Sequence, residues 1–200
     1  METLDQAVAR ILELVKKYTD GKVENASYDK EEHHQLARRI AEESAVLLKN
    51  EGILPLKEDE RVAFIGEFAA HPRYQGGGSS HINSFKVTSA LEASDGFPIR
   101  YARGYDTLKD ELEDDLVQEA LQCAKEASVA VVFAGLPDLY ESEGYDRTHI
   151  NLPDYQNKLI EEIVKVQPNT IVVLHNGSPV LMPWANRVKG ILEVYLGGQA

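Results

Sequence analysis

Residues 129–135 read VAVVFAG, and two further stretches, VAFIG (62–66) and TIVVLH (170–175), share this near-continuous apolar character. Strands of that kind are expected where both faces of a sheet are covered. Around them the pattern alternates. Strands are predicted over 61–66, 99–103, 129–135, 170–175 and 190–196, and helices over 87–94, 108–125 and 154–166. Strands alternating with helices imply right-handed crossovers and a mostly parallel sheet. The fold class is therefore α/β: a flavodoxin-like three-layer α/β/α sandwich.

Outward from this centre, the segment 3–18 places Leu4, Ala7, Val8, Ile11, Leu14, Val15 and Tyr18 on one stripe at helical spacing, with Thr3 positioned as N-cap. Residues 19–28 are polar, contain Gly21 and lack periodicity, which reads as a linker. A second helix is predicted over 30–50, with Asp29 and Glu32 at capping-box spacing and Leu36, Ile40, Leu47 and Leu48 on its buried face. Gly52 and Pro55 end it. At the other end the sequence reaches YLGGQA (195–200) just after a buried-looking strand, where a covering helix is expected. The sandwich is expected to be incomplete on that side.

The chain has 200 residues, of which 43% are hydrophobic and 27% charged, so it can bury a sizeable core. Its net charge of -12 repels phosphate backbones and anionic lipid, which argues against nucleic acid and membrane as partners. The acidic cluster at 110–115 reads as a solvated helix face; no glycine inside the run provides the bend a calcium loop requires. Cys123 is the only cysteine, so neither an intrachain disulfide nor a thiolate cluster can form. The histidines include no HExxH, and no metal site is expected. No run of 18 apolar residues and no basic-then-apolar leader occurs, so the expected location is cytoplasmic.

In open parallel sheets ligands bind beyond the carboxyl ends of the strands. Two loops there carry chemistry. The loop after strand 61–66 contains RYQGGGSSH (73–81), whose glycines let a backbone approach a ligand while its serines offer hydroxyls. No lysine follows the glycines, and His81 stands where a dinucleotide fingerprint needs its third glycine. A flexible turn and a ligand loop both remain open on composition. The loop after strand 129–135 contains LYESEGYDR (139–147), with acids beside aromatic rings. Such carboxylates can act as acid or base where burial or a neighbouring charge raises a pKa. On composition alone, a solvated acidic loop with Arg147 paired to Asp146 or Glu141 is the favoured reading. The NGSP stretch (176–179) reads as turn chemistry, and Trp184 as packing.

Several stretches resemble glycoside hydrolase family 3 β-glucosidases: ARRIAEESAVLLKNEGILPL (37–56), RYQGGGSSHIN (73–83), ESEGYDR (141–147), the spaced Leu152, Pro153 and Gln156, NGSPV (176–180) and YLGGQA (195–200). The resemblance covers about residues 30–200 and points to the second, α/β sandwich domain of that family. It implies residues 1–28 to be the last helix of an N-terminal barrel plus linker, and 29–200 to be the sandwich domain, truncated.

The resemblance also implies a split active site. Enzymes of this kind retain anomeric configuration with an Asp nucleophile on the barrel and a Glu acid/base on a loop of the second domain. The family position of that Glu matches Glu143, with Glu141 as the alternative acid. Ser79 matches the small hydroxyl residue at the sugar-binding subsite, with Gly78 and Ser80 shaping the contact. Asp146 and Arg147 resemble a pair that fixes the loop. No metal or organic cofactor is implied; the partners are a β-glucoside or oligosaccharide and the barrel of the same enzyme. Without that barrel, this chain is expected to be inactive. Two other classes are a flavodoxin-like nucleotide- or flavin-binding module, which would need a phosphate-cradling loop, and an interaction domain using an exposed sheet face.

Overall fold

The computed structural model describes residues 2–200. It divides into two compact units, one reaching to Lys30 and the other Glu31–Ala200. The first is built on α1 (Glu2–Gly21), whose opening turn carries Glu2 and Asp5 near the positive end of the helix dipole. Leu4, Val8, Ile11, Leu14, Val15 and Tyr18 form the anticipated stripe and are all solvent-exposed. Two details differ from the sequence reading. Thr3 lies within the helix and does not cap it, and the helix runs on through Thr19 and Asp20 to Gly21, shortening the linker.

The second unit holds one six-stranded sheet. Its strands are β1 (Val46–Asn50), β2 (Val62–Ile65), β3 (Ile99–Ala102), β4 (Val129–Gly135), β5 (Thr170–His175) and β6 (Gly190–Glu193). Their spatial order is β1-β6-β5-β4-β2-β3, and every pairing is parallel except that of β1 with β6. The α/β sandwich with a mostly parallel sheet is thus the observed architecture. All residues of β4 and β5 are buried, as their apolar runs require.

Helices α4 (Asp114–Glu126) and α5 (Asp154–Val166) pack against each other and on the sheet. Val117, Ala120 and Ala124 of α4, and Leu159, Ile160 and Ile163 of α5, recur at helical spacing and are buried. Burying a leucine such as Leu159 in full contributes about 2 kcal/mol relative to leaving it in water. Side chains that alternate to the other face, among them Phe64, Val131, Phe133, Val173 and Leu192, line an apolar concavity of about 450 Å³. Ala41 of α2 (Lys30–Ser44) and Ala45 just beyond it also line this concavity, so the face is covered only in part. Phe64 and Phe133 meet there edge to face, with ring centroids 4.9 Å apart. The concavity brings no pair of carboxylates together among the described residues.

The helix predicted over 30–50 is two elements. The α-helix stops at Ser44, whose hydroxyl bonds back to the Ile40 carbonyl at 2.7 Å, and VLLKN continues as β1. Local pattern favours continuing the helix; the open edge of β6, running antiparallel to this segment, decides otherwise. The helix predicted over 87–94 shrinks to α3 (Ala90–Ala93), held by a capping box between Ser89 and Glu92. The predicted 108–125 helix starts only at Asp114. Beyond Glu193 the last strand ends, and Tyr195 takes a left-handed φ of 55°. Trp184 is fully buried, as anticipated, with Nε1 donating to Asn157 Oδ1 at 2.9 Å. Cys123 is buried on the inner side of α4, and burial pushes its thiol pKa up.

Candidate active site

Three loops leave the carboxyl ends of β2, β4 and β5, and the structure brings them together. Gly78 adopts φ +74°, a conformation only glycine takes without strain, and a Cβ there would fall 2.3 Å from Glu143 Oε2. The glycine-rich loop therefore lies against the acidic one at van der Waals distance. Glu143 Oε2 accepts two hydrogen bonds from Ser79, one from its backbone N–H at 2.6 Å and one from its hydroxyl at 2.7 Å. These bonds, the backbone donor first and the hydroxyl second, hold the Glu143 carboxyl below the usual carboxylate range. Glu143 itself stays exposed to solvent. Ser80 does not reach it; its hydroxyl donates to the Gly77 carbonyl at 2.9 Å and tightens the turn.

Glu141 is engaged differently. Oε2 accepts from the Gly177 N–H at 2.8 Å, and Oε1 accepts from the Ser178 hydroxyl. With both oxygens taken up by the NGSP turn, Glu141 anchors its loop to the end of β5. The anticipated pairing of Arg147 with Asp146 or Glu141 does not form: Arg147 Nη2 donates to Ser178 Oγ at 2.8 Å, and Nη1 to the Asn151 carbonyl at 3.4 Å. The longer reach across to the turn satisfies the guanidinium with neutral acceptors and ties the far end of the same loop to the same turn. The NGSP stretch is thus more than turn chemistry, because it holds the loop at Glu141 and at Arg147.

Arg73 carries no role that the sequence alone reveals. Its side chain is buried, and Nη1 donates to the Leu136 carbonyl and Nη2 to the Glu141 carbonyl, each at 2.7 Å. Nη1 also lies 3.1 Å from Asp138 Oδ1. A buried guanidinium with these partners welds the loop after β2 to the loop after β4. Its one sequence signal is its place beside the glycine run. Gln156 is buried as well, and its Oε1 accepts from the Gly135 N–H at 2.8 Å, fixing the point where the acidic loop leaves β4.

Below the turn, Glu193 at the end of β6 is buried. Its Oε2 accepts from Asn176 Nδ2 at 3.1 Å and its Oε1 from the Tyr195 N–H at 2.9 Å. Burial raises its pKa against the opposing effect of these two bonds. A cleft of about 530 Å³ opens beside the acidic loop, lined by Tyr140, Glu141, Tyr145, Arg147, His149 and others. No group of three or more His, Cys, Asp or Glu side chains is placed to hold a metal ion among the described residues.

The arrangement offers a solvent-facing carboxyl, Glu143, on a loop braced at both ends, next to hydroxyl and backbone donors. Comparison with known proteins gives this geometry its context. Thermostable beta-glucosidase B of Acetivibrio thermocellus is 51% identical over 203 residues, which cover 98% of this chain and 27% of that enzyme. An exo-alpha-(1->6)-L-arabinopyranosidase of Bifidobacterium longum is 40% identical, covering 98% of this chain and 28% of its own length. The chain thus spans little more than a quarter of these relatives. The crystal structure of a Bifidobacterium adolescentis GH3 beta-glucosidase superposes with a TM-score of 0.89 at 41% identity, covering 94% of this chain and 28% of that one. The family model described as the glycosyl hydrolase family 3 C-terminal domain matches residues 45–200. The chain therefore belongs to glycoside hydrolase family 3, of which it carries the C-terminal domain.

Proposed function

We propose that this domain supplies the general acid/base, Glu143, and part of the sugar subsite, Gly78, Ser79 and Ser80, to a retaining β-glycosidase acting on terminal β-linked glucose. The observation that carries this reading is the paired hydrogen bond between Ser79 and Glu143, which joins the GGGSS and ESEGYDR loops across 64 residues of sequence. The relatives' names, β-glucosidase and arabinopyranosidase, support a glycoside as substrate class. Glu141 is the weaker candidate, because both its oxygens are spent on the NGSP turn.

In this reading Glu143 protonates the leaving oxygen while a carboxylate on the barrel attacks the anomeric carbon, and it then takes a proton from the water that releases the sugar. The first role requires a protonated carboxyl. The two bonds from Ser79 favour the ionised form, so the raising influence comes from the assembled enzyme: burial under the barrel and the negative charge of the nucleophile. A sugar hydroxyl that took over Ser79 would release Glu143 for the same purpose. Residues 1–28 are read as the last barrel helix and its linker, and the chain alone is read as inactive.

The test places Glu143→Ala in a barrel-containing polypeptide that includes this domain. Aryl β-glucosides with good and poor leaving groups are compared, with and without azide. A large loss on the poor leaving group, with azide restoring turnover on the good one, supports the assignment. Wild-type turnover on both removes Glu143 from the mechanism. Turnover by the pure 200-residue chain would overturn the half-site reading.

A further inference from the structure

We propose that Glu193 is a positioning residue for the acid/base loop, acting through Asn176 and the turn that follows it. The proposal rests on the reading of Glu143 given above. A buried carboxylate is costly to retain unless polar partners compensate for lost hydration. Glu193 has two such partners, and one of them leads directly to the site.

Asn176, itself 4% exposed, uses both of its amide hydrogens. Nδ2 donates to Glu193 Oε2 at 3.1 Å and to the Ser178 carbonyl at 3.2 Å. Its Oδ1 is buried without a partner among the described residues. That orientation of the amide is therefore maintained by its two acceptors and not by any donor to Oδ1. The carboxylate fixes Asn176, and Asn176 fixes Gly177 and Ser178. These in turn carry the two oxygens of Glu141 and the guanidinium of Arg147. Glu143 lies between those two anchors, two residues from one and four from the other. A carboxylate at 193 thus sets the position of the turn, and the turn sets the position of Glu143 against Ser79.

Replacing Glu193 by its own amide tests this chemistry without changing shape. In E193Q only one oxygen remains at position 193, so it accepts either from Asn176 or from the Tyr195 N–H, and the other bond is lost. If Asn176 rotates, its Oδ1 gains a donor, but the Ser178 carbonyl loses its own and faces an oxygen. Where the Asn176 bond is the one lost, the link to the turn breaks while the packing stays, and N176A breaks that link outright.

Two readouts are taken. In the 200-residue chain, NMR follows the Gly177 amide and the Glu141 carboxyl; both are expected to shift in E193Q, as is the Ser79 amide bonded to Glu143. In the barrel-containing polypeptide, misplacing the acid by a fraction of an ångström is expected to lower kcat/KM on a poor leaving group ~10-fold more than on a good one. N176A, which removes the same link but leaves the Glu193 bond to Tyr195, is expected to behave alike and serves where E193Q does not fold. A purely structural role would lower the unfolding midpoint and reduce both substrates equally, which overturns the proposal. So do unshifted Gly177 and Ser79 resonances in folded N176A. If Glu143→Ala leaves both substrates untouched, the acid/base reading has failed instead; if it behaves as expected while E193Q and N176A show no leaving-group dependence, only the positioning role has failed.

Discussion

Gly78→Ala separates the two loops with one methyl group. The residue sits at φ +74°, where a non-glycine residue costs about 1–2 kcal/mol. The new Cβ would lie 2.4 Å from Glu143 Cβ and 2.3 Å from its Oε2. Carbon atoms rest about 3.5 Å apart at closest comfortable approach, so the two loops must separate by roughly 1 Å. The bonds from Ser79 to Glu143, 2.6 and 2.7 Å long, would then stretch to about 3.6 Å and cease to be hydrogen bonds. The Glu143 carboxyl should therefore titrate higher in the variant than in the native chain, because the donors that hold it down are withdrawn. Carboxyl NMR titration of the 200-residue chain reads this directly. Because the loop is exposed, the fold itself should lose no more than the cost of the strained conformation, and the urea midpoint should move by less than about 1 M. If Glu143 titrates as in the native chain, the contact between the loops does not govern its ionisation and the reasoning fails.

Two other outcomes concern the scaffold. Burial holds His175 at about 4 against 6.5 for a free imidazole. The unfolded chain binds that proton below pH 6.5 while the folded chain refuses it down to about 4, so stability contributed above pH 6.5 is lost on acidification through this window, by about 3 kcal/mol. Glu193, raised by burial, works with the opposite sign and gains relative stability as pH falls. Urea midpoints between pH 7 and 4 should fall more steeply in the native chain than in His175→Phe; equal slopes would refute the assignment. Trp184→Ala should cost about 3–5 kcal/mol, since it empties a fully buried site and strands Asn157 Oδ1. A loss under about 1 kcal/mol in the same denaturation assay would show that the site collapses around the gap.

What could be read from the sequence follows how local each signal is. The apolar runs at 129–135 and 170–175 and the helix at 154–166 coincide with β4, β5 and α5, because burial on both sheet faces and helical periodicity are written within a few residues. Strand β1 was missed because AVLLKN extends the pattern of α2, and only the distant edge of β6 turns it into a strand. The contact of Glu143 with Ser79 joins positions 64 residues apart, and composition left the glycine loop undecided and favoured a solvated acidic loop; the resemblance to a family singled both out. Arg73 and Glu193 carry no role in the sequence, and Asn176 only a turn, because buried polar residues at strand ends look like ordinary loop or strand residues until their partners are in place. The one hint was an acid inside the otherwise apolar ILEVYL run at 191–196.

The buried guanidinium of Arg73 has a consequence for chimaeras. It grips carbonyls on the segment after β4, which is itself held by the turn after β5. Loops from three separate parts of the chain are thereby inherited as one cassette. A crossover between two relatives placed anywhere from Arg73 to Ser178 would join halves that never co-adapted, whereas breakpoints before β2 or after β6 would pass the cassette on whole.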